Sequence, residues 1–247
     1  MSGKRLAWAL PHVIAHRCGG ALAPENTLAG LRLAACLGFR AVEFDVMLSA
    51  DGTPWLLHDE TLERTTNGRG PLAATADRVL AGLDAGAAHH PAFAGEPLPT
   101  LAAAAALCQQ LGLQANVEIK PAAGRAAETG AVVARCVREF WAGHPLPLVS
   151  SFSRAALDAA RASVAELPLA CLYEQVDDDW RQRVAELEAA TLNVDANRLD
   201  DGVLASARQA GIPVLAYTVN DVSTAHALRR RGVQAVFSDR LDLFAGF

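Results

Sequence analysis

This sequence has no run approaching the roughly 20 apolar residues that a membrane-crossing helix needs. It has no excess of positive charge either. Its 22 Lys and Arg are outnumbered by 27 Asp and Glu, a formal net charge of −5, which argues against the basic field of a nucleic-acid binder. Its five cysteines (Cys18, Cys36, Cys108, Cys136 and Cys171) are odd in number and lack CxxC spacing. That excludes a disulfide frame or zinc site as the organising feature and suggests reduced thiols in a cytoplasmic protein. Between Met1 and Val13 two cations precede a short apolar stretch, broken by Pro11 and followed by no cleavage pattern, so no signal peptide is expected. No glycine-rich dinucleotide fingerprint follows the first strand-like run, and no interdomain linker, low-complexity tail or long repeat is visible.

What is present is alternation. Apolar runs of strand length at Val13–His16, Ala41–Asp45, Ala115–Ile119, Leu148–Ser151, Leu169–Leu172, Thr191–Val194, Val214–Thr218 and Ala235–Ser238 are separated by helical stretches. These helices are Thr27–Leu37, Leu101–Leu111, Arg125–Phe140, Arg154–Ala162, Trp180–Ala189, Asp201–Ala210 and Val222–Arg231. Eight βα repeats in 247 residues, 51% of them hydrophobic, predict one α/β domain over 1–247, a (β/α)8 TIM barrel. An open doubly wound sheet uses the same units but lacks its fingerprint here. The alternation fails once. Val46–Leu48 and Trp55–Leu57 flank a hairpin turn at Ser49–Thr53, and a Gly/Pro-rich stretch follows to Pro99. This predicts a cap insertion of about 46–98 between the second strand and second helix, over the C-terminal face where this fold places its sites.

Polar clusters end several of the strands. Glu43 and Asp45, two apart, point to one face while Val42, Phe44 and Val46 point to the other, and Glu118 repeats the pattern with Asn116 and Lys120. A lone acidic pair is as readily a structural salt bridge as a ligand set. Three inward carboxylates on neighbouring strands instead suit a hard divalent cation, Mg²⁺ or Ca²⁺. His16 and His58 each end a strand beside a charged partner, Arg17 and Asp59, and could serve as base and acid across one phosphorus centre. Arg17 and Lys120 suit a phosphodiester, and would equally neutralise the carboxylates. His12, His89, His90, His144 and His226 lack such context and read as bystanders.

Taken together, His16-Arg17, Pro24-Glu25-Asn26-Thr27, Glu43-Phe44-Asp45, His58-Asp59, Asn116-Val117-Glu118-Ile119-Lys120-Pro121, Thr218-Val219-Asn220 and Phe237-Ser238-Asp239-Arg240 resemble the glycerophosphodiester phosphodiesterases. The likeness is to the short bacterial cytoplasmic members and runs in order from about Val13 to Leu243. It implies metal-dependent hydrolysis of small-molecule glycerophosphodiesters to sn-glycerol 3-phosphate and an alcohol. By position, Glu43, Asp45 and Glu118 would hold the metal and His16 and His58 would be the acid/base pair. Arg17, Lys120, Glu25, Phe152 and Tyr217 would contact or shape the substrate site. Asn26-Thr27 would be a helix N-cap or a substrate contact. Ser151-Phe152 and Thr218-Val219-Asn220 would line the pocket.

Two positions depart from the family pattern. Cys18 stands where Gly is usual, with Gly19 and Gly20 able to take over its backbone freedom, and a thiol beside Arg17 could have a lowered pKa. Tyr217 stands where Trp is common, and adds a hydroxyl that could alter alcohol preference. The competing readings are a catalytically silent phosphodiester-binding barrel, to which Cys18 would point, a phosphoinositide phospholipase-like barrel, and a metal-dependent barrel acting on carbonyls. No apolar docking rim in the insertion supports the phospholipase, and no stable membrane insertion is expected. No surface feature marks an oligomer contact.

Overall fold

A computed structural model describes residues 6–246. The two N-terminal cations, Lys4 and Arg5, fall outside the described residues. From the N-terminus, strand β1 (Val13–Ala15) leads to helix α1 (Leu28–Cys36), β2 (Ala41–Leu48) and a return strand β3 (Pro54–Leu56). After the short α2 (Asp77–Leu80) and α3 (Leu101–Leu111), the chain alternates β4 (Gln114–Ile119), α4 (Ala126–Phe140), β5 (Leu148–Ser151), α5 (Arg154–Ser163), β6 (Leu169–Tyr173) and α6 (Trp180–Glu186). It closes with β7 (Thr191–Asp195), α7 (Asp201–Ala210), β8 (Val214–Tyr217), α8 (Val222–Arg231), β9 (Ala235–Ser238) and α9 (Leu241–Phe244). All strands but β3 pair in parallel, and β1 pairs with both β2 and β9, so the sheet closes into an eight-stranded barrel with β3 antiparallel on β2.

The period-2 pattern decides which side chains enter the barrel. Val42, Phe44 and Val46 pack outward against the helix layer. Inside, the lower end is filled by Ile14, Ala41, Leu148, Ala170, Ala190, Leu215 and Ala235, and Leu6, Trp8 and Leu10 pack against this floor. Trp8 Nε1 donates to the Leu146 carbonyl at 3.2 Å, fixing the N-terminal segment there. Further along β2, β4, β5 and β7 the interior turns polar, with Glu43, Asp45, Asn116, Glu118, Ser150 and Asn193 all buried. The barrel is thus a well with an apolar floor and a polar middle.

Local chemistry sets the element ends. The side chains of Thr27, Thr100, Ser153, Asp200 and Asp221 each accept an amide of the first turn of α1, α3, α5, α7 and α8. α3, α7 and α8 stop at left-handed Gly112, Gly211 and Gly232. The insertion carries its own small core of Met47, Trp55, Leu57, Leu62, Leu72, Leu80 and Leu98. Asp77 staples the hairpin to it, accepting from Trp55 Nε1 at 2.9 Å and from Thr53 Oγ1. The return strand ends at Leu56, two residues before His58. There the Leu57 amide crosses to the Asp45 carbonyl at 3.2 Å, so His58 sits on a bend and not on the strand expected to end with it.

α4 and α5 pack so closely that a Cβ at Gly130 would stand 2.1 Å from the Ala156 carbonyl oxygen. Backbone cannot yield as a side chain can. Gly130→Ala is expected to lower stability by about 2–3 kcal/mol, read as a fall in the urea midpoint at unchanged slope.

Candidate functional site

Glu43 and Asp45 project from β2 and Glu118 from β4, which pairs Asp45 directly with Glu118. One oxygen from each of the three lies within 4.8 Å of the others. All three carboxylates are buried. Burial, with repulsion from Asp45 and Glu118, pushes the Glu43 carboxyl well above the usual range. Burial and the Asp45 charge lift Glu118 to about 8, against the pull of Lys120. Glu43 Oε1 is buried with no hydrogen-bond partner. Crowded, under-compensated carboxylate oxygens of this kind fit a hard divalent cation, so this trio could hold one.

The free choice of rotamers is removed by neighbours. Glu43 Oε2 accepts the Arg17 amide at 2.9 Å. Asn26 clamps Asp45 twice, its Nδ2 donating to Oδ2 at 2.8 Å and its Oδ1 accepting the Asp45 amide at 3.0 Å. Thr27 is the N-cap of α1 and Asn26 is not, which resolves the two expectations for that pair: Asn26 positions a carboxylate. To bring these groups together the β1–α1 loop holds Arg17, Cys18 and Asn26 at φ of 47°, 70° and 58°. Left-handed conformations at non-glycine residues cost about 1–3 kcal/mol each, least for Asn.

Each histidine leans on an aspartate. His16 Nδ1 is 2.6 Å from Asp239 Oδ1, and His58 Nδ1 is 2.7 Å from Asp59 Oδ1. An acceptor at Nδ1 places the proton there and leaves Nε2 facing the site. His16 Nε2 lies 3.8 Å from Glu43 Oε2. Asp239 is itself held by Asn220, whose Nδ2 donates to Oδ2 at 3.1 Å and whose Oδ1 accepts the Asp239 amide at 2.8 Å. Burial pushes Asp239 up, but hydrogen bonding to His16 and Asn220 holds its carboxyl below the usual range.

A guanidinium ties the insertion to the barrel loop. Arg64 donates in pairs to Asp59 (2.6 and 2.9 Å) and to Glu25 (2.7 and 2.8 Å). Glu25 also accepts from Arg17 Nη1 at 3.2 Å, so its carboxylate is taken up by two cations and shapes the site through them. Burial raises Glu25, yet Arg64 and Arg17 together hold it low; the Arg64 hydrogen bonds likewise hold Asp59 far below its ordinary value. Arg17 Nε stands 3.8 Å from Asp45 Oδ2, and Lys120 Nζ stands 3.8 Å from Asp45 Oδ1 and 3.5 Å from Glu118 Oε1.

These groups share one cavity of about 240 Å³, lined by His16, His58, Arg17, Lys120, the three carboxylates, Phe152 and Tyr217. Phe152 meets Tyr217 edge-on with ring centroids 5.9 Å apart. An adjoining cleft of about 650 Å³ shares His16 and Arg17 and is bounded by Glu25, Arg64, Asp239 and, from the insertion, His89. Ser151 donates to the Ile119 carbonyl at 2.7 Å and does not line the central cavity. The Tyr217 hydroxyl donates to the Tyr173 carbonyl at 2.8 Å, so its proton is engaged in the wall. Cys18 is fully buried, and burial with the charges of Cys108, Glu43 and Asp45 pushes its thiol well up. It is a packing residue. Nor does Gly19 relieve it, at φ −106°, while Cys18 keeps the left-handed turn itself. The raised thiol runs against the lowered pKa that its neighbour Arg17 suggested.

Arg64 was not among the residues expected to act, Asn26 was expected only as a cap or substrate contact, and Asp239 entered only within the family resemblance. Asp59 announces itself by standing next to His58. Asp239 meets His16 across 223 positions of chain, with no local signal.

The glycerophosphoryl diester phosphodiesterase family model matches residues 16–243. The chain belongs to this family. It is a phosphoric diester hydrolase of the family's TIM-barrel type. A glycerophosphodiester phosphodiesterase of Caldanaerobacter subterraneus subsp. tengcongensis is 28% identical over 92% of this chain and 93% of its own. A phosphodiesterase of Oleispira antarctica, whose structure is a complex with the product sn-glycerol 3-phosphate, is 38% identical with a TM-score of 0.92 over 96% of each chain. A glycerophosphodiester phosphodiesterase of Agrobacterium tumefaciens str. C58 superposes with a TM-score of 0.81 at 28% identity, over 96% of this chain and all of that one. No described helix is long and apolar enough to cross a membrane.

Asp59 and Glu25 both have depressed pKa values in the fold, so the stability they contribute is present above their unfolded values and lost as pH falls through the folded ones. Arg64→Ala is expected to cost about 1–2 kcal/mol at pH 7, a modest figure because Arg64 is half exposed. The gap between variant and wild type should begin to narrow below about pH 4, where the unfolded carboxylates protonate, and close only as pH falls through their lower folded values. Urea unfolding of the two proteins at pH 7 and at about pH 2 checks this; a gap that does not shrink contradicts it.

Proposed function

We propose that the chain hydrolyses glycerophosphodiesters to sn-glycerol 3-phosphate and an alcohol, with Glu43, Asp45 and Glu118 holding Mg²⁺ or Ca²⁺ and His16 and His58 as the acid/base pair. The observation that carries this is the cavity itself. Two aspartate-braced histidines, two cations and three buried carboxylates face one space. The product bound to the Oleispira relative agrees with the reaction. The insertion over residues 46–98 forms a cap on one continuous barrel domain in this reading.

Arg17 and Lys120 draw in the phosphodiester and offset the charge that builds on its oxygens as phosphorus is attacked. One histidine takes the proton of the attacking O–H through its unprotonated Nε2 while the new P–O bond forms. The other, entering the step as imidazolium, gives its Nε2 proton to the oxygen of the departing alcohol as that P–O bond breaks. The attacking oxygen is that of water or of the neighbouring glycerol hydroxyl; the second route passes through a cyclic phosphate that water then opens. Asp239 and Asp59 keep each ring oriented and stabilise its cationic form. A bound divalent cation adds Lewis-acid stabilisation of phosphate oxygens. Phe152 and Tyr217 give the carbon atoms an apolar wall.

His16→Ala and His58→Ala should each lower kcat by about 10²–10⁴-fold and leave divalent-cation affinity within a few-fold, measured by calorimetry. Loss of cation binding in either variant would contradict the assigned role. Glu43→Ala should lose the cation instead, and excess EDTA should silence the wild type. The deciding assay incubates metal-stripped protein with glycerophosphocholine, with and without Mg²⁺ or Ca²⁺, and couples released glycerol 3-phosphate to its dehydrogenase. Release that ignores EDTA, or no release with any cation and head group, refutes the proposal.

A further inference from the structure

Two buried amides in the barrel take no part in the chemistry above. Asn116 on β4 and Asn193 on β7 are 2% and 1% exposed, and both line the 240 Å³ cavity. Strand alternation turns both inward, since Val117, Leu192 and Val194 pack in the outer core. Each is pinned at one end only. Asn116 Nδ2 donates to Ser150 Oγ at 3.0 Å, and Asn193 Oδ1 accepts from Thr191 Oγ1 at 2.9 Å. The other ends, Asn116 Oδ1 and Asn193 Nδ2, are buried with no hydrogen-bond partner.

An unpaired buried polar atom costs about 1–3 kcal/mol and is rare in native proteins. Two in one cavity, an acceptor and a donor, are the complement of groups that both donate and accept. Neutral amides are poor holders of phosphate or of a cation, tasks for which Arg17, Lys120 and the carboxylates stand ready in the same space. Hydroxyls are what they match. Leu172, Tyr217 and Phe237 beside them offer apolar sides to a carbon chain. A cavity of about 240 Å³ has the volume of about eight waters, enough for a three-carbon polyol phosphate, and it adjoins the larger outer cleft.

We propose that Asn116 and Asn193 recognise the free hydroxyls of the substrate's glycerol half, Asn116 Oδ1 accepting from one hydroxyl and Asn193 Nδ2 donating to a hydroxyl oxygen. This rests on the glycerophosphodiester reading and sharpens it. Specificity is for the polyol held deep in the well, and the alcohol half is left to the outer cleft. A site whose buried polar atoms go unpaired when a hydroxyl is missing rejects the deoxy analogue far more strongly than an apolar pocket rejects a missing methylene.

The test is calorimetric titration of the Mg²⁺- or Ca²⁺-loaded protein with sn-glycerol 3-phosphate and with n-propyl phosphate, which keeps phosphate and three carbons but lacks both hydroxyls. Wild type should prefer glycerol 3-phosphate by about 100-fold or more. Asn116→Leu and Asn193→Leu should each erode that preference by about 10-fold, with propyl phosphate affinity moving less than about 3-fold. A wild-type ratio near one, or equal weakening of both ligands in the variants, overturns the proposal. The wild-type ratio needs no variant, and Asn193→Ala replaces a leucine variant that fails to fold. Failure of the underlying reading looks different. Strong discrimination with no release of glycerol 3-phosphate from any diester would leave the asparagines as polyol binders and overturn the reaction. Turnover without discrimination would overturn the asparagine role alone.

Discussion

Three carboxylates held within 4.8 Å of one another in a buried pocket repel, and the rest of the site is arranged around that repulsion. In water such groups would separate or stay solvated. Here β2 and β4 are fixed in register by the barrel, so separation is not available, and two of the three respond by holding their protons more tightly. The surrounding groups can be understood as partial compensation. Asn26 spends both ends of its amide on Asp45, the Arg17 amide goes to Glu43, and Arg17 and Lys120 stand at ion-pair range. Even so, Glu43 Oε1 remains without a partner. This incomplete compensation is why the trio could hold a divalent cation.

Outside that pocket the same economy of charge continues in a chain. Arg17 binds Glu25, Glu25 binds Arg64, Arg64 binds Asp59, and Asp59 binds His58. The link couples the β1–α1 loop to the insertion, two segments joined by no strand pairing. It also means that the orientation of His58 depends on a residue of the insertion and on a residue of the first barrel loop at once. His16 is braced separately, from the last strand, through Asp239 and Asn220. The two histidines therefore answer to different parts of the chain.

How much of this could be read from the chain alone follows from whether each signal is local. Strand alternation is local, so the inward turn of Glu43, Asp45 and Glu118 was legible, and the runs Leu148–Ser151 and Ala235–Ser238 matched the strands residue for residue. The helices Leu101–Leu111, Asp201–Ala210 and Val222–Arg231 also matched, because each begins after a capping side chain and two features of their ends, Gly and a change of period, are written in the sequence. Partners set by the closing of the barrel were not legible. Arg64 is an ordinary surface-type residue, and Asp239 has no visible partner, until β9 meets β1 and the insertion folds back. Cys18 misled for a related reason. Its neighbour Arg17 suggested an electropositive setting, but burial and the nearby carboxylates dominate, and only the folded arrangement reveals them. Tyr217 showed its aromatic face in the sequence, but not the partner of its hydroxyl, which comes from Tyr173 on another strand.

The apolar floor has a kinetic meaning. Ile14, Leu148 and Leu215, backed by Leu6, Trp8 and Leu10, make the well blind at its lower end. Whatever enters does so by the mouth and must leave by it. In the pose proposed above, with the glycerol phosphate half at the bottom and the alcohol half nearer the opening, the two products cannot depart in either order. The alcohol has to clear first, and the phosphate ester left behind occupies the space that the next substrate needs. The barrel's closed end imposes a sequence in time on a reaction whose chemistry, by itself, has none.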